Sequence, residues 1–142
     1  MKMKKLLLFG FATALLFNAC KKKTEDVVPK TTAEKVQGLW KVTSLVSNDF
    51  YSNTNHITTQ TGIATDYVDF RVNGKVYTQF GTPNASNRDT STYTIVNDNT
   101  IKLDTDNFEI RVLNDNQFVL YNKDPYSTTP VAYDETTLNL YK

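Results

Sequence analysis

The chain has 142 residues, and its 16 Lys and Arg against 15 Asp and Glu give a net charge of +1. One cysteine and one histidine leave almost no material for a disulfide framework, a transition-metal site or a Cys/His nucleophile. Within residues 38–142, eight basic residues stand against twelve acidic ones, a balance of −4 that argues against nucleic acid as a partner.

Residues 1–20, MKMKKLLLFGFATALLFNAC, fall into three zones: the cations Lys2, Lys4 and Lys5, an apolar run over 6–17, and the exit Asn18-Ala19-Cys20. That order is a bacterial secretion signal. The apolar run is about a dozen residues long where a membrane span needs roughly 20. Phe17 is bulky where cleavage at a small-x-small site wants a small residue, which leaves Cys20 as the informative position. Ala19-Cys20 at this place resembles the lipobox of bacterial lipoproteins. The resemblance implies a signal peptide over residues 1–19, a diacylglycerol on the Cys20 thiol, and a protein anchored in the Gram-negative cell envelope, at the outer membrane. Each buried acyl CH₂ contributes about 0.8 kcal/mol, so two or more chains hold a protein on a bilayer. As the sole cysteine, Cys20 has no intramolecular disulfide partner.

Residues 20–37 read as the lipidated cysteine and a tether. Lys21, Lys22 and Lys23 lie beside the anchor, either solvated or resting on anionic headgroups at about 1 kcal/mol each. The segment has too little apolar surface to fold alone, and as a flexible chain it spans roughly 20 to 25 Å. Thr31 and Glu34 have capping-box spacing, which predicts a helical turn at 32–36, too short to stand unaided.

From Gly38 onward the apolar period is two. The alternating runs are 38–46, 67–71, 75–80, 92–96, 100–104, 108–113, 117–121 and 133–141. Eight half-buried antiparallel strands follow from that pattern. Val72-Asn73-Gly74, Asn97-Asp98-Asn99 and Asn114-Asp115-Asn116 each place Gly or Asn third, where a three-residue loop with a bulge needs positive φ. This turn pairs Phe70 with Val76, Val68 with Thr78, Ile95 with Ile101, Val112 with Phe118 and Ile110 with Leu120, keeping the apolar residues on one face. The other connections, 47–66, 81–91, 105–107 and 122–132, read as loops. In a meander the three tight turns gather at one end and these loops at the other. The expected fold is all-β, an antiparallel up-and-down eight-stranded barrel over residues 38–142.

Gly38-Leu39-Trp40 opens the first strand at the tight-turn end. It resembles the Gly-x-Trp signature of lipocalins, and GLWKVTSL followed by the hairpin Phe70-Arg71-Val72-Asn73-Gly74 is similar to small bacterial lipocalin-like lipoproteins. The resemblance implies a barrel floor at Gly38 and Trp40. Phe70, Phe80, Tyr93, Phe108, Phe118 and Leu120 point inward, as ligand-facing residues for a small apolar or amphipathic molecule. The same aromatics can equally fill the barrel, moving function to the loops around His56, 84–88 and 126–133 as a protein-interaction or envelope-structural module. Carbohydrate binding is a third option, weakened because the sole Trp is assigned to the floor.

Nothing points to catalysis. No nucleophile elbow, phosphate loop or dinucleotide fingerprint is present. Asp104-Thr105-Asp106 begins like a calcium loop, but Phe108 occupies the fifth position and Glu109 the sixth, where that loop needs Gly; a hairpin turn explains it better. Asp66 and Asp69 are separated carboxylates, with Asp69 alternating outward beside Arg71. The expectation is a non-enzyme without metal or cofactor.

Overall fold

The computed structural model describes residues 28–81 and 87–142. The expected signal peptide over residues 1–19, Cys20, Lys21, Lys22 and Lys23 lie outside the described residues, as do 82–86 of one expected loop. One helical turn, α1 (Thr32–Val36), precedes nine strands: β1 (Gly38–Tyr51), β2 (Thr54–Thr61), β3 (Tyr67–Phe70), β4 (Lys75–Gln79), β5 (Arg88–Asn97), β6 (Thr100–Leu103), β7 (Asp106–Leu113), β8 (Gln117–Thr128) and β9 (Val131–Tyr141). Every pairing is antiparallel. β3 through β9 follow in sequence order, and β1 closes the circle by pairing with both β3 and β9. The result is a closed, up-and-down, eight-stranded barrel of lipocalin-like architecture.

The expected registers hold for Phe70 with Val76, Val68 with Thr78, Ile95 with Ile101 and Ile110 with Leu120. Val112 departs: it pairs with Val119, and Leu113 pairs with Phe118, because a bulge at Arg111 advances β7 by one residue. Of the three expected positive-φ positions only Gly74, at φ 75°, has it. Asn99 and Asn116 are held differently, each donating its backbone N–H to the side-chain oxygen of the Asn two residues earlier, Asn97 and Asn114, at 2.9 Å.

The segment 47–66, expected as a loop, is mostly strand. β1 runs to Tyr51, turns through Ser52 and Asn53 (φ 49° and 66°) and returns as β2 beside residues 44–51 of β1. Two successive positive φ values are the signature of a type I′ hairpin. Likewise 122–132 is a hairpin: β8 continues to Thr128 and β9 starts at Val131, with a bulge at Tyr126. The upper parts of β2, β1, β9 and β8 thus rise above the barrel as a four-stranded wing. β2 is exposed along its whole length on both faces, so it carries no buried apolar stripe and left no period-two signal.

The core sits in the lower barrel. Trp40, Phe70, Ile101, Phe118, Leu120 and Leu140 are at most 1% exposed. Trp40 and Phe118 ring centroids are 5.3 Å apart, Phe70 and Phe118 5.7 Å, and Phe70 and Tyr93 5.1 Å in an edge contact. α1 closes this end. Its capping box forms, with Thr31 N–H donating to Glu34 Oε2 at 2.7 Å and Glu34 N–H to Thr31 Oγ1 at 3.2 Å. Val36 at its last turn is fully buried in the core, which stabilises a turn too short to persist alone.

Candidate functional site

Trp40 is fully buried and its indole N–H donates to Val36 O at 2.7 Å, while Lys142 Nζ lies 4.0 Å from the indole centroid and donates to Gln37 O at 3.0 Å. Burial among these groups holds the Lys142 ammonium below its usual pKa. Lys30 pairs with Asp115 and Thr32 donates to Asp98, so the chain reaches the barrel at the end of the tight turns 97–99 and 114–116.

The six expected ligand-facing residues lie in or against the core. Phe70, Phe118 and Leu120 are buried in mutual contact, and Phe80, Tyr93 and Phe108 pack partly buried against that cluster. Four depressions lie elsewhere among the described residues, and none of these four is lined by the six. The sequence identified inward direction correctly, since parity fixes it. Whether inward aromatics leave space depends on three-dimensional packing that parity does not encode.

One depression, about 690 Å³, lies on the outer wall where β1, β3 and β4 adjoin, lined by residues that include Leu39, Tyr67, Asp69, Arg71 and Tyr77. Asp69 stands between Leu39 on β1 and Tyr77 on β4, is 6% exposed, and pairs with Arg71. Asp66 is not part of this dish. It is buried and accepts N–H donors from Gly81 at 2.6 Å and Ile63 at 3.0 Å, fixing the 62–66 connection to the end of β4.

The second region is the wing, where sequence reading expected loops. Leu45 and Leu138 pair over the core, and continuing that face upward gives Ser47 with Thr136, then Asp49 with Asp134. On the flanking strands His56 pairs with Asp49 and Asp124 with Asp134. The inner face of the wing therefore carries one transverse row, His56, Asp49, Asp134, Asp124, across four strands. The three carboxylates are solvent-exposed. Tyr126 at the β8 bulge donates its hydroxyl to Asp49 Oδ1 at 2.9 Å, and that carboxylate pushes the phenol up to about 12. Like charges directly opposite one another are unfavourable, so this row sacrifices some stability to concentrate negative potential above the barrel.

The outer face of the wing is aromatic and carries a hydrogen-bonded network in which the buried Asn48 Oδ1 alone is left without a partner among the described residues. Phe50 and Tyr133 stack at 4.6 Å, with Lys123 Nζ 3.4 Å from the Tyr133 ring. Glu135 accepts from Tyr121 at 2.7 Å and Asn48 at 3.1 Å, which hold its carboxyl below the usual range. Burial and the Glu135 contact in turn raise the Tyr121 phenol. Asp104 serves as a turn anchor, accepting from Thr92 N–H at 2.7 Å. No cluster of three metal-ligating side chains occurs among the described residues. No family model, no curated protein and no solved structure matches the chain.

Proposed function

We propose that the protein is a membrane-anchored envelope lipoprotein whose barrel is a filled scaffold and whose working surface is the wing, held at the end away from the anchor. The observation that carries this reading is the exposed row of Asp49, Asp134 and Asp124 above a core with Trp40, Phe70 and Phe118 in ring contact. Complementarity favours a basic segment of another envelope protein as partner. Because α1 and Trp40 sit at the floor, the anchor at Cys20 directs the wing outward from its membrane.

Photo-crosslinking from Thr58 and Thr136, which flank the acidic row, is expected to capture such a partner from envelopes. Capture is lost in the Asp49→Asn/Asp134→Asn variant and weakens with rising salt. Unchanged capture by that variant sinks the acidic-face reading. Cys20→Ser is expected to release the protein from the membrane fraction; an unchanged distribution rejects the anchor.

The outer dish supports a second reading, binding of a small amphipathic ligand. Its volume of about 690 Å³ is ligand-sized, and Tyr67, Tyr77 and Leu39 provide apolar walls around the Asp69–Arg71 pair. Native mass spectrometry of the protein after exposure to a lipid panel tests it. A bound species lost in Tyr77→Ala supports the dish, and a bare protein throughout rejects it.

A further inference from the structure

Among the described residues the wing has two open edges, and the fold treats them differently. On β8, pairing with β7 ends at Glu109 and Tyr121, so residues 122–128 have no strand on that side among the described residues. This edge carries Lys123, Asp124, Pro125 and the bulge at Tyr126. Charge, proline and a bulge are the devices that stop one edge strand from pairing with another. β2, at the other end of the sheet order, has none of them. Its eight residues, TNHITTQT, contain no Lys, Arg, Asp, Glu or Pro, and its register against β1 runs without a bulge from Tyr51↔Thr54 to Ser44↔Thr61.

The hairpin fixes which backbone groups that edge presents. Tyr51 and Thr54 close a two-residue turn, which makes them a hydrogen-bonded pair, and pairs then alternate along the ladder. Even-numbered residues of β2 point their N–H and C=O toward β1. Gly62 continues the series, donating to Thr43 O at 2.9 Å. Asn55, Ile57 and Thr59 therefore point theirs into solvent.

We infer that β2 is a self-pairing edge, and that two copies of this chain join antiparallel through β2 about a two-fold axis at Ile57. A two-fold axis perpendicular to the sheet keeps each face on its own side, so paired residues must have the same parity. Centring on Ile57 sets Ile57 against Ile57 of the second copy and Asn55 against Thr59. Each of these is a pair of outward-pointing residues, so about six N–H···O=C bonds form across the junction. His56 then lies opposite Thr58 and Thr54 opposite Gln60, with no like-charged contact. Ile57, 65% exposed, is the one large apolar side chain of the strand and becomes a cross-strand pair at the centre. The result is one continuous eight-stranded wing whose two outer edges are both the protected β8 edge. Self-pairing requires neither the acidic row to be an interface nor the anchor to be in place.

The test uses the full chain, expressed in bacterial envelopes and solubilised in mild detergent, with the wild-type chain controlling for Cys20. Under oxidation Ile57→Cys is expected to give a disulfide-linked dimer. Asn55→Cys and Thr59→Cys are each expected to fail alone and to crosslink when combined, since only the proposed register brings 55 opposite 59. By light scattering the wild-type polypeptide mass is twice that of the monomer, and Ile57→Lys returns it to one copy with an unchanged circular dichroism spectrum. A wild-type monomer at all concentrations, equal crosslinking of the three single cysteines, or an Ile57→Cys adduct with a different protein in place of the homodimer overturns the inference.

Discussion

The indole N–H of Trp40 donates to the carbonyl of Val36 at 2.7 Å, and both residues are fully buried. This bond ties the last turn of α1 to the first strand and seals the barrel floor. Trp40 also packs against Phe118, so its ring and its N–H do separate things. Trp40→Phe keeps most of the ring and leaves the Val36 carbonyl without that donor. The expected loss is about 1–3 kcal/mol, with faster amide exchange confined largely to residues 32–37. Trp40→Ala removes the ring as well and is expected to cost about 3–5 kcal/mol. Denaturant unfolding and hydrogen exchange separate the two. Equal losses for both variants refute the division.

Asp66 performs a purely structural task in spite of being a buried carboxylate. Its two oxygens accept from Gly81, just past β4, and from Ile63, within the 62–66 connection, and its own backbone carbonyl accepts from Val42 N–H at 3.3 Å. In Asp66→Asn one acceptor becomes a donor and meets an N–H. We expect a stability loss of about 1–3 kcal/mol, and a larger one for Asp66→Ala, which strands both donors. Thermal unfolding of the two variants checks the order, and a wild-type melting curve for Asp66→Ala contradicts the latch.

Parity carried most of the barrel. The registers of Phe70 with Val76 and Ile95 with Ile101 were legible because one side chain in two is buried, which leaves a mark in the sequence. β2 left no such mark, since both its faces are in water. Its only signals were the β-branched residues Thr54, Ile57, Thr58, Thr59 and Thr61 and the Ser52-Asn53 turn, too weak without an apolar face. Pro125 made residues 122–132 look like a loop. The strand accommodates it because β8 has no β7 neighbour at that height. The acidic row escaped for the same reason. Asp49, Asp124 and Asp134 become neighbours only when both apparent loops are strands.

Tyr126 reports directly on the acidic row. Its hydroxyl bonds to Asp49 Oδ1, and that carboxylate, with burial and the charge of Asp134 adding to it, pushes the phenol up to about 12. A raised folded pKa means the protonated phenol is favoured in the folded state. Its contribution is complete below the unfolded value of about 10 and is lost as pH rises toward 12. Alkaline titration followed by tyrosine absorbance or NMR is expected to show this phenol ionising well above ordinary tyrosines. Asp49→Asn, which replaces the charged acceptor, returns it toward 10. Identical titrations of wild type and Asp49→Asn rule out the contact.

Gly62 marks the place where β1 exchanges neighbours, from β3 below to β2 above. It donates to Thr43 O at 2.9 Å, beside the bulge between Val42 and Ser44 in the β1–β9 ladder. A Cβ there would lie 2.0 Å from Val42 O and 2.7 Å from its carbonyl carbon, both backbone atoms that no rotamer change can move. Gly62→Ala must therefore shift one strand. We expect a loss of about 1–3 kcal/mol or more, which lowers the melting temperature by about 4–8 °C per kcal/mol in a domain of this size. Ile63→Ala, at a neighbouring exposed side chain, is expected to stay within about 0.5 kcal/mol. The strain falls on the hairpin that carries β2. Amide exchange at His56, Thr58 and Gln60, whose N–H groups face β1, should then rise in Gly62→Ala before the Trp40 floor is affected, and uniform loss of protection across both regions argues against a local origin.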